Sequence, residues 1–118
     1  PIIEAIIDDT GLEESAVNIP NNKYINCLPD KIVVEVPAKI NNQGIHGIIL
    51  ENYPKGFGNL LNSQVGVIQL TTEAILSKSK HFAYLALLAD PVVDNAIAAE
   101  KLLDNIIEKQ SEFLGYLN

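Results

Sequence analysis

The chain has 118 residues, of which 47% are apolar and 19% are charged, and its net charge at neutral pH is -7. This length and composition predict one globular domain and exclude a disordered chain, while the shortness of every apolar run excludes a membrane-spanning helix. All eight basic residues are lysines, and an acidic chain without arginine is a poor partner for nucleic acid, because it repels phosphates and lacks the guanidinium group that reads bases.

The chain opens in an apolar segment whose spacing predicts a helix. Apolar residues at positions 2, 3, 6 and 7 share one helix face, Pro1 is tolerated in a first turn, and Gly11 is predicted to cap the carboxyl end. Because neither an initiator methionine nor a secretory leader precedes this helix, we expect a segment of a longer cytoplasmic protein. A processed small protein is the alternative.

Three short strands are predicted next. Residues 15–19 form the first, and residues 32–36, which are rich in β-branched side chains, form the second and end at Pro37. Residues 41–44 predict a hairpin turn, after which residues 45–50 return as the partner strand.

The remainder of the chain is predicted to be helical. Residues 52–58 hold a proline and two glycines and are predicted to be a loop, followed by a helix over residues 59–77. Ser79 is predicted to cap a short helix, and Asp90 with Pro91 to start a last helix that runs to about residue 117. The pattern therefore predicts an α+β fold, in which a small, mostly antiparallel sheet packs with helices.

The residues that could carry chemistry are few and scattered. Cys27 is the only cysteine, which excludes an internal disulfide, and we expect it to be a small packing residue. His46 and His81 have no ligand at helical spacing and are expected to be ordinary surface or turn histidines. Glu35 is predicted to project from the face opposite its valine neighbours, either into water or into an interface. Residue chemistry alone thus predicts no self-contained active site.

A succession of short motifs runs along the chain. They are Val-Asn-Ile-Pro-Asn at 17–21, Leu-Pro-Asp at 28–30, Val-Val-Glu-Val-Pro-Ala at 33–38, Asn-Gln-Gly-Ile-His at 42–46, Thr-Glu-Ala-Ile-Leu at 72–76 and Leu-Leu-Ala-Asp-Pro at 87–91. Their order and spacing resemble the C-terminal domain of glycoside hydrolase family 4. The similarity covers nearly the whole chain.

The resemblance implies both a fold and a reaction. The fold is similar to the second domain of lactate and malate dehydrogenases. In the family, NAD oxidises the sugar at C3, and a base removes the C2 proton with help from a divalent metal, commonly manganese. The glycosidic oxygen is then eliminated, water adds, and the ketone is reduced. The family's N-terminal Rossmann domain and its metal-binding Cys and His lie upstream. Residues 1–118 are therefore expected to be a single substrate and oligomerisation domain, inactive alone.

The resemblance also bears on substrate and partners. Asn18 and Asn21 are the polar residues of the matched segment and are expected to line the sugar pocket, with turn-forming asparagine as the alternative. No catalytic, NAD-binding or metal-binding residue is expected in this segment. The substrate is expected to be a small carbohydrate, either an α-glucoside, an α-galactoside or a uronide, and residues 90–104 are more similar to members that act on uronic acids. The partners expected are the missing N-terminal domain and further copies in a homo-oligomer, with no nucleic acid and no membrane.

Two other functions remain open at this stage. One is the C-terminal domain of a 2-hydroxy-acid dehydrogenase, since that fold is similar. The other is a non-enzymatic oligomerisation module.

Overall fold

In the computed structural model, which describes residues 1–117, the chain forms two compact units, Pro1–Asn59 and the chain from Leu60 onward. The first unit is a short helix followed by a three-stranded antiparallel sheet in the order β1-β2-β3. Its elements are α1 (Ile2–Asp8), β1 (Leu12–Pro20), β2 (Val33–Asn41) and β3 (Gly44–Gly47). The helix packs against β2 and buries Ala5.

The central strand β2 supplies most of the core of the first unit. Successive side chains of a strand point to opposite faces, and every second residue of β2 is buried, namely Val34, Val36, Ala38 and Ile40. Val33, Glu35 and Lys39 lie on the other face and are exposed. The prediction that Glu35 projects away from its valine neighbours is confirmed.

Val36 and Val33 allow a matched test of this alternation. Val36 is 1% exposed and Val33 is 61% exposed. We expect Val36→Ala to lower the free energy of unfolding by about 2 kcal/mol, because it removes buried methyl groups and leaves a cavity. The change in Val33→Ala should stay within about 0.5 kcal/mol. Urea denaturation of the two variants checks this, and equal losses would contradict the assignment of faces.

The prediction that Pro37 ends the second strand is wrong, because β2 continues through it to Asn41. Proline has no backbone N–H and is excluded from a central strand unless the ladder is interrupted there. Such an interruption exists. Val36 pairs with Val17 and Ala38 pairs with Glu14, so β1 carries an irregularity in register opposite Pro37. The Pro37 carbonyl is nevertheless paired, since it accepts a hydrogen bond of 2.7 Å from the N–H of Ile48, the residue after β3.

The other strand boundaries shift because long-range pairing sets them. β1 begins at Leu12 rather than residue 15, since Leu12 pairs with Ile40 across the sheet. β3 ends at Gly47 rather than residue 50, and the Leu50 N–H instead bonds to the carbonyl of Tyr24 at 2.8 Å. The predicted hairpin between β2 and β3 is confirmed, with Asn41 paired to Gly44.

The predicted opening helix is confirmed, but its cap is not the predicted glycine. Asp9 takes the left-handed conformation, with φ 52°, and its N–H bonds to the carbonyl of Ala5. Aspartate tolerates this region better than most residues. Gly11 also has a positive φ, of 67°, but it lies beyond the cap in the connection to β1.

The second unit is helical. α2 (Lys55–Ser77) begins in the first unit and continues into the second, where it is followed by α3 (Lys80–Ala89), α4 (Ala96–Lys109) and α5 (Ser111–Leu114). α3 packs against α4, and Ala86, Ala99 and Leu103 are buried on these two helices. With the sheet of the first unit, this confirms the predicted α+β class. Within residues 1–117, no helix has the combined length and apolar character needed to cross a membrane.

The predicted cap at Ser79 is confirmed, because its hydroxyl accepts a hydrogen bond from the Phe82 N–H at 3.4 Å. Two other helix starts differ from prediction. α2 begins at Lys55, before both of the glycines that suggested a loop. α4 begins after Asn95, whose side-chain oxygen accepts from the Ala98 N–H at 3.0 Å.

Asp90 and Pro91 instead form a turn ahead of that helix. The Asp90 carboxylate accepts from the Val92 N–H at 3.1 Å, and the Asp90 carbonyl accepts from the Val93 N–H at 3.0 Å. Asp-Pro is a signal for turns as well as for helix starts, and local sequence does not distinguish the two. The predicted last helix is also divided, since α4 ends at Lys109 and α5 begins at Ser111.

Candidate functional site

The most highly organised irregular segment is the loop of residues 21–32, which joins β1 to β2. Backbone hydrogen bonds of Asn21 join the two ends of the loop. The Asn21 N–H bonds to the carbonyl of Ile32 at 2.7 Å, and the Asn21 carbonyl accepts from the Lys31 N–H at 2.9 Å. The loop therefore closes directly above the last pairs of the sheet, in which Pro20 faces Val33.

The side chain of Asn21 fills the inside of this loop. Its amide nitrogen lies 3.1 Å from each of three backbone carbonyl oxygens, those of Ile25, Leu28 and Pro29, and its amide oxygen accepts from the Ile25 N–H at 3.1 Å. The residue is 2% exposed and is the one buried polar side chain among residues 1–117. Buried polar groups are costly unless they are bonded. Asn21 thus has the turn-forming geometry that the sequence left open.

Two glycines bring neighbouring backbone against the loop. A β-carbon at Gly47 would lie 2.7 Å from the end of Ile19 and 2.8 Å from the ring of Tyr24. One at Gly58 would collide with the sulfur of Cys27. A β-carbon at either position would therefore force these side chains to shift. These contacts were not predicted from the sequence, although a lone glycine within a strand pattern is a signal of close backbone approach.

Asn18 lies outside the loop on the exposed face of β1. It pairs across the sheet with Glu35, which is exposed on the same face. Residues directly opposite in an antiparallel pair have side chains about 5 Å apart. An amide and a carboxylate therefore lie side by side here, and both are exposed to solvent.

The histidines and the cysteine occupy separate, ordinary positions. His46 is exposed, and its Nε2 lies 3.2 Å from the side-chain oxygen of Asn41. His81 is exposed and tilted against the ring of Phe82 at a centroid distance of 6.1 Å. Cys27 is exposed, although its sulfur packs against Gly58. Within residues 1–117, no three His, Cys, Asp or Glu side chains are grouped as metal ligands.

The second unit contains an apolar groove of about 330 Å³ between its helices. Ala74 of α2, Ala86 of α3 and Leu103 of α4 form part of its wall, with Leu114 and Tyr116 from the carboxyl end. Several large apolar side chains of these helices are exposed, including Ile97 and Phe113. These side chains give the helices of the second unit an exposed apolar surface.

The chain is similar in sequence to glycosidases of known families. Residues 1–93 match the model of the family 4 glycosyl hydrolase C-terminal domain. The chain is 45% identical over 116 residues to an alpha-glucosidase of Erwinia rhapontici, which covers 98% of this chain and 25% of that protein. It is 30% identical over 112 residues to a maltose-6'-phosphate glucosidase of Bacillus subtilis, covering 95% of this chain and 25% of the relative.

A solved structure agrees in both fold and sequence. The 6-phospho-beta glucosidase of Thermotoga maritima, solved with manganese, NAD+ and glucose-6-phosphate, superposes with a TM-score of 0.85 at 29% identity. The match covers 95% of this chain and 28% of that one. The chain therefore spans about a quarter of the length of the relatives that it matches.

Proposed function

This chain belongs to the family 4 glycosyl hydrolases as their C-terminal domain, and on that premise we propose that the protein containing it is a glycosidase that uses NAD and a divalent metal ion, manganese in the first instance. The match to the family model over residues 1–93 carries this proposal. NAD and manganese are present in the related Thermotoga structure. The match is to a glycosidase family rather than to the 2-hydroxy-acid dehydrogenases.

The substrate that we propose is an α-glucoside without a phosphate group. The 45% identical relative is an alpha-glucosidase, whereas relatives that are named for 6-phosphorylated sugars share 26% to 31% identity with this chain. The chemistry of the chain agrees with this choice. It contributes no arginine and carries a net charge of -7, while arginine is the usual bidentate partner of a phosphate.

Within this enzyme, residues 1–118 are proposed to act as one C-terminal domain that covers the substrate. Residues 1–117 offer no grouped metal ligands, and we propose that the NAD and metal sites lie in the remainder of the protein, where these groups would supply hydride transfer and Lewis acidity. The residues of this chain would bind and orient the sugar and exclude water. Asn18 is proposed to contact sugar hydroxyls from the exposed face of β1, and Asn21 to give the adjoining loop its shape.

The proposed partners are protein surfaces and a small carbohydrate. The exposed apolar side chains of α1, α4 and α5 are proposed to contact the N-terminal nucleotide-binding domain and further copies of the chain in a homo-oligomer, since patches of this kind are covered in assembled proteins. A cytoplasmic location is proposed for the whole enzyme.

A comparison of two proteins tests the proposal. We expect the full-length protein to hydrolyse p-nitrophenyl α-glucoside when NAD, manganese and a reductant are supplied, and residues 1–118 alone to release no nitrophenol above the blank. The 6-phosphorylated glucoside and the α-galacturonide serve as comparison substrates, and the phosphorylated one should react more slowly. Turnover by residues 1–118 alone, or none by the full-length protein on any of the three substrates, would contradict the proposed enzyme. Faster hydrolysis of the 6-phosphorylated glucoside would contradict the proposed substrate.

A further inference from the structure

The loop of residues 21–32 is held more firmly than a simple connection between strands requires. Its interior contains the four hydrogen bonds of the Asn21 side chain and the inward-facing apolar side chains of Ile25 and Leu28. From outside, the Leu50 N–H bonds to the carbonyl of Tyr24, and Gly47 packs against the Tyr24 ring. The loop is thus fixed from both sides.

The same loop keeps two lysines in an unfavourable backbone conformation. Lys23 has φ 62° and Lys31 has φ 73°, values in the left-handed region that residues with a β-carbon rarely adopt. Such conformations persist only where the surroundings enforce them, and they concentrate at functional sites. The Asn21 carbonyl accepts a hydrogen bond from the Lys31 N–H, and the Asn21 side chain bonds to Ile25, two residues after Lys23.

The outward face of the loop is polar throughout its first half. Asn22, Lys23 and Asn26 are exposed, and they follow Asn18 on the exposed face of β1. Amide side chains both donate and accept hydrogen bonds, which suits the vicinal hydroxyl groups of a sugar. A surface whose polar groups are fixed before binding loses less entropy when a ligand arrives. The loop therefore combines a fixed backbone with side chains suited to sugar hydroxyls.

We propose that Asn21 is a positioning residue for glycoside binding, which holds the exposed face of residues 21–32 in place as a wall of the sugar pocket without touching the sugar itself. This inference rests on the proposed glycosidase function. It assigns to Asn21 an indirect role in the affinity for substrate, in addition to its role in folding.

Substrate kinetics of the full-length protein test this role. We expect Asn21→Ala to raise KM for p-nitrophenyl α-glucoside by about tenfold while kcat changes by less than about threefold, because the loop contributes to binding rather than to bond cleavage. Leu103→Ala is the matched control. It removes a buried side chain from α4, in the second compact unit, and should leave KM within about twofold. Both variants are assayed well below their melting temperatures.

Equal KM changes in the two variants, or an unchanged KM in Asn21→Ala, would overturn the proposal. If Asn21→Ala does not fold, lysine labelling of the unmodified full-length protein decides the matter. Acetylation of Lys23 should slow by about threefold when methyl α-glucoside is added together with NAD and manganese, as pocket walls are covered by their ligand. Lys109 on α4 is the exposed control. Equal labelling of Lys23 with and without the sugar would refute the role of the loop.

These outcomes are distinct from failure of the proposed function. A full-length protein that hydrolyses no glycoside contradicts the glycosidase proposal before any variant is compared. A protein that hydrolyses the glucoside but shows unchanged KM in Asn21→Ala contradicts only the positioning role.

Discussion

Asn21→Ala is expected to lower the free energy of unfolding by about 3 kcal/mol, a large share of the 5–15 kcal/mol typical of a whole domain. The substitution leaves the carbonyl oxygens of Leu28 and Pro29 without the Asn21 donor and the Ile25 N–H without its acceptor, while the Ile25 carbonyl keeps its bond from the Leu28 N–H. Each unsatisfied buried group costs about 1–3 kcal/mol, and partial entry of water reduces the sum. Chemical denaturation followed by circular dichroism measures the loss.

Asn18→Ala is the matched control for that experiment. Asn18 precedes the loop by three positions and is exposed on β1, so its truncation should change stability by less than about 0.5 kcal/mol. If the two alanine variants unfolded at the same denaturant concentration, the hydrogen bonds of Asn21 would not be holding the loop. A loss confined to Asn21 identifies the loop as part of the folded core of the first unit.

Leu103→Ala is expected to cost about 3 kcal/mol in the second unit. Leu103 is 8% exposed on α4, the helix that packs against α3. Truncation of a buried leucine removes its transfer free energy and leaves a cavity, which together cost about 2–5 kcal/mol. The existing groove beside Leu103 favours the lower half of that range, because part of the side chain already borders open space. The loss of helical ellipticity on heating measures the effect.

The adjacent leucine provides the control. Leu102 is 51% exposed on the same helix, and Leu102→Ala should cost less than about 1 kcal/mol, since only partly buried surface is lost. The helix propensities of the two variants are the same, so the difference between them reports burial alone. Equal melting temperatures would show that α4 presents a different face to α3.

We expect one residue, Asn21, to affect both the stability of the domain and the binding of substrate. Asn21 is the single polar side chain in the interior of residues 1–117, and the loop that it fills carries the exposed amides Asn22 and Asn26. A group that folds a loop and thereby presents a binding surface affects both melting temperature and KM. The Leu103→Ala control separates the two effects, because it lowers stability in a different compact unit.

The sequence by itself determined the type and order of most elements of this protein and the family to which it belongs. Alternation of β-branched residues identified β2, the Asn-Gln turn before Gly44 identified the hairpin, and Ser79 identified the start of α3. These signals are local, because a cap or a turn acts on residues within one turn of chain. The ordered motifs from residue 17 to residue 91 indicated the family that the match to residues 1–93 confirms.

Only the tertiary structure decided where the elements end and which groups the Asn21 side chain contacts. Pro37 lies within β2 because β1 breaks its register opposite that residue, and β1 extends to Leu12 because Ile40 is there to pair with it. The carbonyls of Ile25, Leu28 and Pro29 surround the Asn21 amide, and no local sequence signal indicates this arrangement. Each of these outcomes depends on groups that folding brings together. Local sequence patterns report only near neighbours, so they do not show which distant residue will pair with a given strand or side chain.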